Sequence, residues 1–221
     1  MDWQALILAL QLGAATVAIL LPLALLLGRW LAYARFRGKA LAEALVILPL
    51  VLPPTVIGFY LLVGLGPTSP IGMAWRSVFG TNLVFTFEAI LIASVIVNLP
   101  FAVQPVQRAF ESVGTDLRDA AATCGHSQWQ AFRRIELPLA WPGVVTGAVL
   151  TFAHTLGEFG VVLMIGGSIP GETRTLSLSI YDRVQAFDMA GANAMALLLM
   201  GVSLATVTAT FYLARRVRPH G

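Results

Sequence analysis

The chain has 221 residues, of which 57% are hydrophobic and only 11% charged, with a formal net charge of +3. A composition this poor in charge, with a mean hydropathy of +0.81, excludes a water-soluble globular domain. It predicts one all-α membrane domain over residues 1–221.

Five apolar runs meet the roughly 18-residue length that reads as a membrane span. They lie at about 5–27, 40–65, 89–106, 139–165 and 192–213. The first run follows Met1-Asp2-Trp3, which carries no basic residue, and it is longer than the apolar core of a signal peptide. It is expected to be a retained span. The second contains "LPLVLPPTVIGFYLLV" (48–63) and reads as a single helix kinked by its prolines. Pro53 and Pro54 are candidates for a gating movement there, because proline frees a backbone carbonyl that lipid cannot satisfy. "GPTSPIG" marks a turn in the connection 66–87. On the third span, Glu88 is expected at the water interface and Asn98 in a bond to a neighbouring helix.

The basic residues are distributed asymmetrically. Eleven of the fourteen fall after span one, between spans three and four, or after span five, where Arg215, Arg216 and Arg218 lie. The positive-inside rule then puts the N-terminus outside and the C-terminus in the cytoplasm.

The cytoplasmic stretch 115–138 is polar between two apolar runs. Thr115 or Asp116 is expected to cap a helix that stops at Gly125. Ser127 and Gln130 fit a capping box for a second helix, 128–135, with Trp129, Phe132 and Ile135 on one face and Pro138 ending the unit. Ala120, Ala121 and Ala122 form a small-residue surface that allows close approach. Tethering at both ends and mixed charges argue against nucleic-acid binding. The alternative is an amphipathic loop resting on lipid headgroups. Cys124 is the only cysteine, so no intrachain disulfide exists.

On span four, Thr151, His154, Thr155 and Glu158 recur at i, i+3, i+4 and i+7, one helical face. Ionisable residues in a membrane face a bundle interior or a watery path, so these four are candidates for a pathway or for packing, with His154 and Glu158 a possible pair. Gly143 and Gly147 form a GxxxG pattern, which permits close helix contact. Beyond it, 175–187 predicts an amphipathic helix with Leu176, Ile180, Val184 and Phe187 on its apolar face, lying on the outer membrane face or dipping into the bundle. Arg174, Asp182 and Arg183 are candidates for an outer gate or for docking an external protein.

Asp119-Ala120-Ala121, three residues, Gly125, nine residues, then Ile135-Glu136-Leu137-Pro138 resembles the cytoplasmic loop of permease subunits of binding-protein-dependent ATP-binding cassette importers. That loop carries Glu-Ala-Ala, Gly and Ile-x-Leu-Pro at the same spacings. Asp119 departs from it by one methylene. The resemblance implies the importer permease fold, with Asp119, Ala120, Ala121, Gly125, Ile135, Leu137 and Pro138 coupling the chain to an ATPase. It implies a second copy of the chain, two cytoplasmic ATPase subunits and an external substrate-binding protein, in a prokaryotic inner membrane. Gly38-Lys39-Ala40 falls short of a phosphate loop. ATP and Mg are therefore expected on the partner ATPase, with no cofactor, metal or catalytic residue in this chain.

The segments 48–63 and 156–182, with the loop, resemble the molybdate branch of that family. Pro53-Pro54 and the run from Ile169 to Thr175 carry the likeness to that branch, whereas Gly157-Glu158-Phe159-Gly160 is shared with sulfate permeases. Some relatives carry a further N-terminal span that this chain is expected to lack. A carboxylate repels an oxyanion such as molybdate, so Glu158 is expected to hold a gate by hydrogen bonds rather than to bind the anion. The alternatives are sulfate, tungstate or another oxyanion. More distant are a membrane enzyme using His154 and Glu158 as an acid–base pair, without an accompanying metal cluster or nucleophile, and a structural scaffold, which would not need the loop.

Overall fold

The structure, a computed structural model, describes residues 2–217, with no side-chain description at 210, 211 and 213–217. Arg218 of the topology argument and the side chains of Arg215 and Arg216 thus lie outside the described residues. Every described element is a helix. In chain order these are α1 (Trp3–Tyr33), α2 (Lys39–Val51), α3 (Pro54–Leu65), α4 (Pro70–Phe79), α5 (Phe87–Val113), α6 (Thr115–Thr123) and α7 (Gln128–Ala131). A π-helical turn (Phe132–Glu136) leads into α8 (Leu137–Gly157), followed by α9 (Gly160–Gly166), α10 (Leu176–Gln185) and α11 (Met189–Val217).

Four stretches among the described residues are long and apolar enough to cross a membrane, and the bent pair α2–α3 supplies a fifth crossing if counted as one. This matches the expected number, but two expected spans are not single helices. The run 40–65 is two helices at 105°, not one kinked helix. Leu52 is extended, and Pro53 and Pro54 cap and start α3. Two successive prolines remove two helical N–H donors, so the ladder ends there. The run 139–165 breaks as well, because Glu158 is extended (ψ 129) between α8 and α9.

The bundle is built on α1, α5 and α8. Leu8 and Leu12 share one core cluster with Ala89 and Ile90. Leu20, Leu31, Val103, Val106, Phe110, Ala140 and Val144 share a second. This register makes α1 and α5 parallel and α8 antiparallel to both. Between helices in lipid, attraction comes from packing rather than from water exclusion, and small residues provide it here. A Cβ on Gly143 would collide with Ala109 and sit 2.6 Å from the Pro105 carbonyl oxygen. One on Gly147 would sit 2.9 Å from the Ala102 carbonyl oxygen. The GxxxG pattern therefore seats α8 on α5.

The helix α10 is the short helix expected, and it takes the bundle-facing of its two expected placements, with only Val184 and Phe187 departing from the buried face. Leu176, Leu178 and Ser179 are buried, whereas Val184 and Phe187 are exposed. It packs against α1, α8 and α11 instead of lying flat on lipid. Ser177 donates to the Leu156 carbonyl and Ser179 to Asp2. Asp188 accepts from the Gly191 N–H at the start of α11 and from Arg183. The Gly191 N–H first, then the guanidinium, hold its carboxyl below the ordinary carboxylate range.

Candidate functional site

Three groups of predicted residues can now be located. The first is the loop between α5 and α8. Only Gly114, with φ +73, separates α5 from α6. Gly114, and not Thr115 or Asp116, is the N-cap, and no side chain caps this helix. The helix breaks at this one residue, whose positive φ is a conformation open to glycine. At its other end α6 closes as expected. Gly125 has φ +79, its N–H donates to the Ala122 carbonyl, and the His126 N–H donates to that of Ala121. These two bonds are the Schellman pattern, which satisfies carbonyls left free at a helix end.

The alanine surface is corrected in part. Ala121 is buried, while Leu117, Asp119, Ala120, Ala122 and Cys124 are exposed. Leu117, Ala120 and Cys124 follow at i, i+3 and i+7, so α6 presents an exposed face opposite the buried Ala121, with an alanine at its middle.

The capping box of Ser127 and Gln130 forms in both directions. The helix it starts does not end at Pro138, however. Residues 128–157 form one continuous rod with a π-helical turn at 132–136. The Leu137 N–H reaches back to the Phe132 carbonyl. Pro138 has no N–H and would crowd the preceding turn of an α-helix, and the wider turn makes room for it. Ile135 and Leu137 are half-buried and Pro138 exposed. The rod thus fixes the loop rigidly to a membrane-spanning helix. Trp129, Phe132, Leu25, Leu26, Arg29 and Trp30 are among the residues around a groove of about 410 Å3 between the rod and α1.

Sequence reasoning passed over Glu136, because it occupies the unspecified position of Ile-x-Leu-Pro. It is 1% exposed and accepts from Arg29 Nε (2.6 Å), Arg29 Nη2 (3.2 Å) and Arg118 Nε (3.0 Å). Arg118 also stacks 3.9 Å above the Tyr33 ring, and Tyr33 donates to the Phe110 carbonyl. The available signal was charge: one acid amid basic residues beside a span.

The second group lies within the bundle. His154 Nδ1 is 3.0 Å from Asn98 Oδ1, and its ring stacks on Phe101 at 4.1 Å. Asn98 also donates to the Ser94 carbonyl of its own helix, and its contact with His154 of α8 is the expected inter-helix bond. Thr151 and Thr155 are buried, and His154 is the member of this face that reaches the surface of the chain. Glu158 is off the helical face, contrary to expectation. Its side chain lies 3.8 Å from His154 Nε2, and it accepts from the Val161 N–H at the start of α9. The helix breaks at Glu158, and from just before α9 its carboxylate accepts a first-turn N–H that the next helix leaves free. The two broken spans meet here, since a Cβ on Gly160 would lie 2.8 Å from Pro54 Cβ.

The third group is on the outer side. Arg174 and Asp182 come together at 3.1 Å and share Ser168, which donates to Asp182. Arg183 is not with them, because it pairs with Asp188. These charges fasten the 166–175 loop to α10.

Residues 21–219 match the family described as binding-protein-dependent transport system inner membrane component. The chain is 48% identical over 195 residues to the molybdenum transport system permease protein ModB of Azotobacter vinelandii, covering 88% of this chain and 86% of the relative. It is 36% identical over 170 residues to the sulfate transport system permease protein CysT of Escherichia coli, covering 77% and 61%. The fold is similar to a chain of a bacterial alginate ABC transporter solved with a pentasaccharide-bound periplasmic protein. There the TM-score is 0.80 at 18% identity, over 99% of this chain and 80% of the other.

Proposed function

Because the chain belongs to the family of binding-protein-dependent transport system inner membrane components, we propose that it is the transmembrane permease of a molybdate importer. It is a transport subunit of the inner membrane and not an enzyme. Its partners are of the kind such importers use, an external binding protein and a cytoplasmic ATPase. The observation that carries the choice of anion is the likeness to the molybdenum permease, at 48% identity over 86% of that relative's length. The sulfate relative is matched at 36% over 61%.

In this reading two copies of the chain enclose the pathway, and two ATPase subunits bind ATP and Mg below them. The exposed face of α6 seats in an ATPase cleft, supported by Asp119, Ala120, Ala121, Gly125, Ile135, Leu137 and Pro138. Closure of the ATPase dimer draws the two α6 helices together and turns the pathway outward, and the loaded binding protein then releases the anion into it. The facing breaks at Pro53-Pro54 and Glu158 are the flexible points of such a movement, because ladder hydrogen bonds are already missing there. His154, Thr151 and Thr155 hold the helix beside that break. Arg174, Asp182 and Arg183 shape the outer surface that meets the binding protein.

The test is uptake of labelled molybdate into liposomes holding the chain and its ATPase, with loaded binding protein outside and ATP inside. ATP-dependent uptake that excess sulfate leaves intact is expected. Uptake abolished by sulfate would move the system to the sulfate branch.

A further inference from the structure

The helix α6 is a short rod between two glycine pivots, Gly114 at φ +73 and Gly125 at φ +79. A single residue of α6, Ala121, is buried, so little apolar packing holds it to the bundle. Among the described residues, the side-chain hydrogen bond that ties α6 to the bundle runs from Arg118 to Glu136. Glu136 in turn holds Arg29 of α1 by two bonds and belongs to the rod that becomes α8. One buried carboxylate thus joins α6, the rod and α1, the last of them 107 residues away in sequence. Arg118 also rests on Tyr33, at the end of α1.

This geometry sets a mechanical condition. A push on the outward face of α6 can swing the helix about its two pivots, or it can drag α1 and α8 along. Which happens depends on how firmly α6 is linked to them. A carboxylate shared by two guanidinium groups is a directional, charge-assisted link, and its burial shields it from water and salt.

We propose that Glu136 is a positioning residue for transport, and that the Arg118–Glu136–Arg29 bridge delivers movement of α6 to α1 and α8. The inference rests on the importer reading. It assigns Arg118 to transmission rather than to docking, since Arg118 points inward while Leu117, Ala120 and Cys124 face out.

The test is Arg118→Gln in the reconstituted importer. This variant leaves the Arg29–Glu136 pair intact, so the fold keeps its buried carboxylate paired. Three quantities are read: ATPase subunit retained on purification, ATP hydrolysed, and molybdate carried per ATP. Retention and hydrolysis are expected to stay near wild type while molybdate carried per ATP falls about five-fold or more, the scale of one coupling contact. Arg118→Lys, which keeps the charge but not the planar fork, is expected to recover part of the loss. A merely structural role would lower all three readings together. An Arg118→Gln importer that carries as much molybdate per ATP as a working wild type would overturn the inference alone. Loss of the ATPase from the variant would assign Arg118 to docking and overturn it too. Wild-type particles that carry neither molybdate nor sulfate would instead overturn the importer reading beneath it.

Discussion

Gly125 shows how one residue sets the shape of the loop. Its φ of +79 lies in the left-handed region, and no atom lies within 4 Å of where its Cβ would be. A side chain there pays for conformation and not for collision, about 1–2 kcal/mol for an ordinary L residue. If the outward face of α6 docks only when the Schellman turn is formed, Gly125→Ala should weaken ATPase binding about five- to thirty-fold. Gly125→Asn should cost less, because asparagine tolerates this conformation. Titration of the permease with its ATPase measures both. Equal binding by wild type and the alanine variant would mean that the turn is not needed for docking. The residue's role was legible in the sequence because helix, glycine and second cap lie in one short stretch. Glu136 was not, because its partners lie 107 and 18 residues away and nothing local marks them.

Helix pairs are where small residues matter most. Gly143 sits directly against Ala109 and the Pro105 carbonyl, so a branched side chain there forces α8 off α5. Overpacking of this kind costs about 1–3 kcal/mol and sometimes more. Thermal unfolding in detergent should show a clearly lower midpoint for Gly143→Val. Gly64→Ala should leave the midpoint near wild type, since nothing lies within 4 Å of a Cβ at that position. An unchanged midpoint for Gly143→Val would mean that the α5–α8 contact adds nothing to stability. GxxxG patterns are frequent in apolar helices, and only the packed structure shows that this one is used. The breaks at Leu52 and Glu158 behave differently. Paired prolines marked the first as a kink but not as a full break, whereas Leu-Gly-Glu-Phe-Gly reads equally well as helix, and the second break appears only once Glu158 accepts from the Val161 N–H.

For the whole molecule, topology and partner contact are tested at one atom. Cys124 is the only cysteine in the chain, and it is exposed beside the outward face of α6. In oriented vesicles lacking the ATPase, a membrane-impermeant maleimide should label it from the cytoplasmic side and not from the outer side. Adding the ATPase should then slow the labelling. Labelling from the outside would invert the topology drawn from the basic residues. Unslowed labelling beside bound ATPase would move the docking face elsewhere on the loop.

Some properties of this protein are local sums along the chain, and those the sequence determined by itself. Apolar length adds residue by residue, so an all-α membrane domain and five apolar runs, answered by four crossing helices and one bent pair, followed from composition. Loop charge adds in the same way, so the predicted orientation followed too. A motif at fixed spacing within one loop picked out 119–138 as the proposed contact for an ATPase. Tertiary structure alone decided what depends on distant segments meeting. It turned Ala121 inward and Leu178 toward the bundle, drew Glu158 off its helix, and gathered Arg29, Arg118 and Glu136 into one bridge. Each of these depends on the placement of a neighbouring helix, and a side chain's partner across a bundle is set by that placement rather than by its own neighbours in sequence.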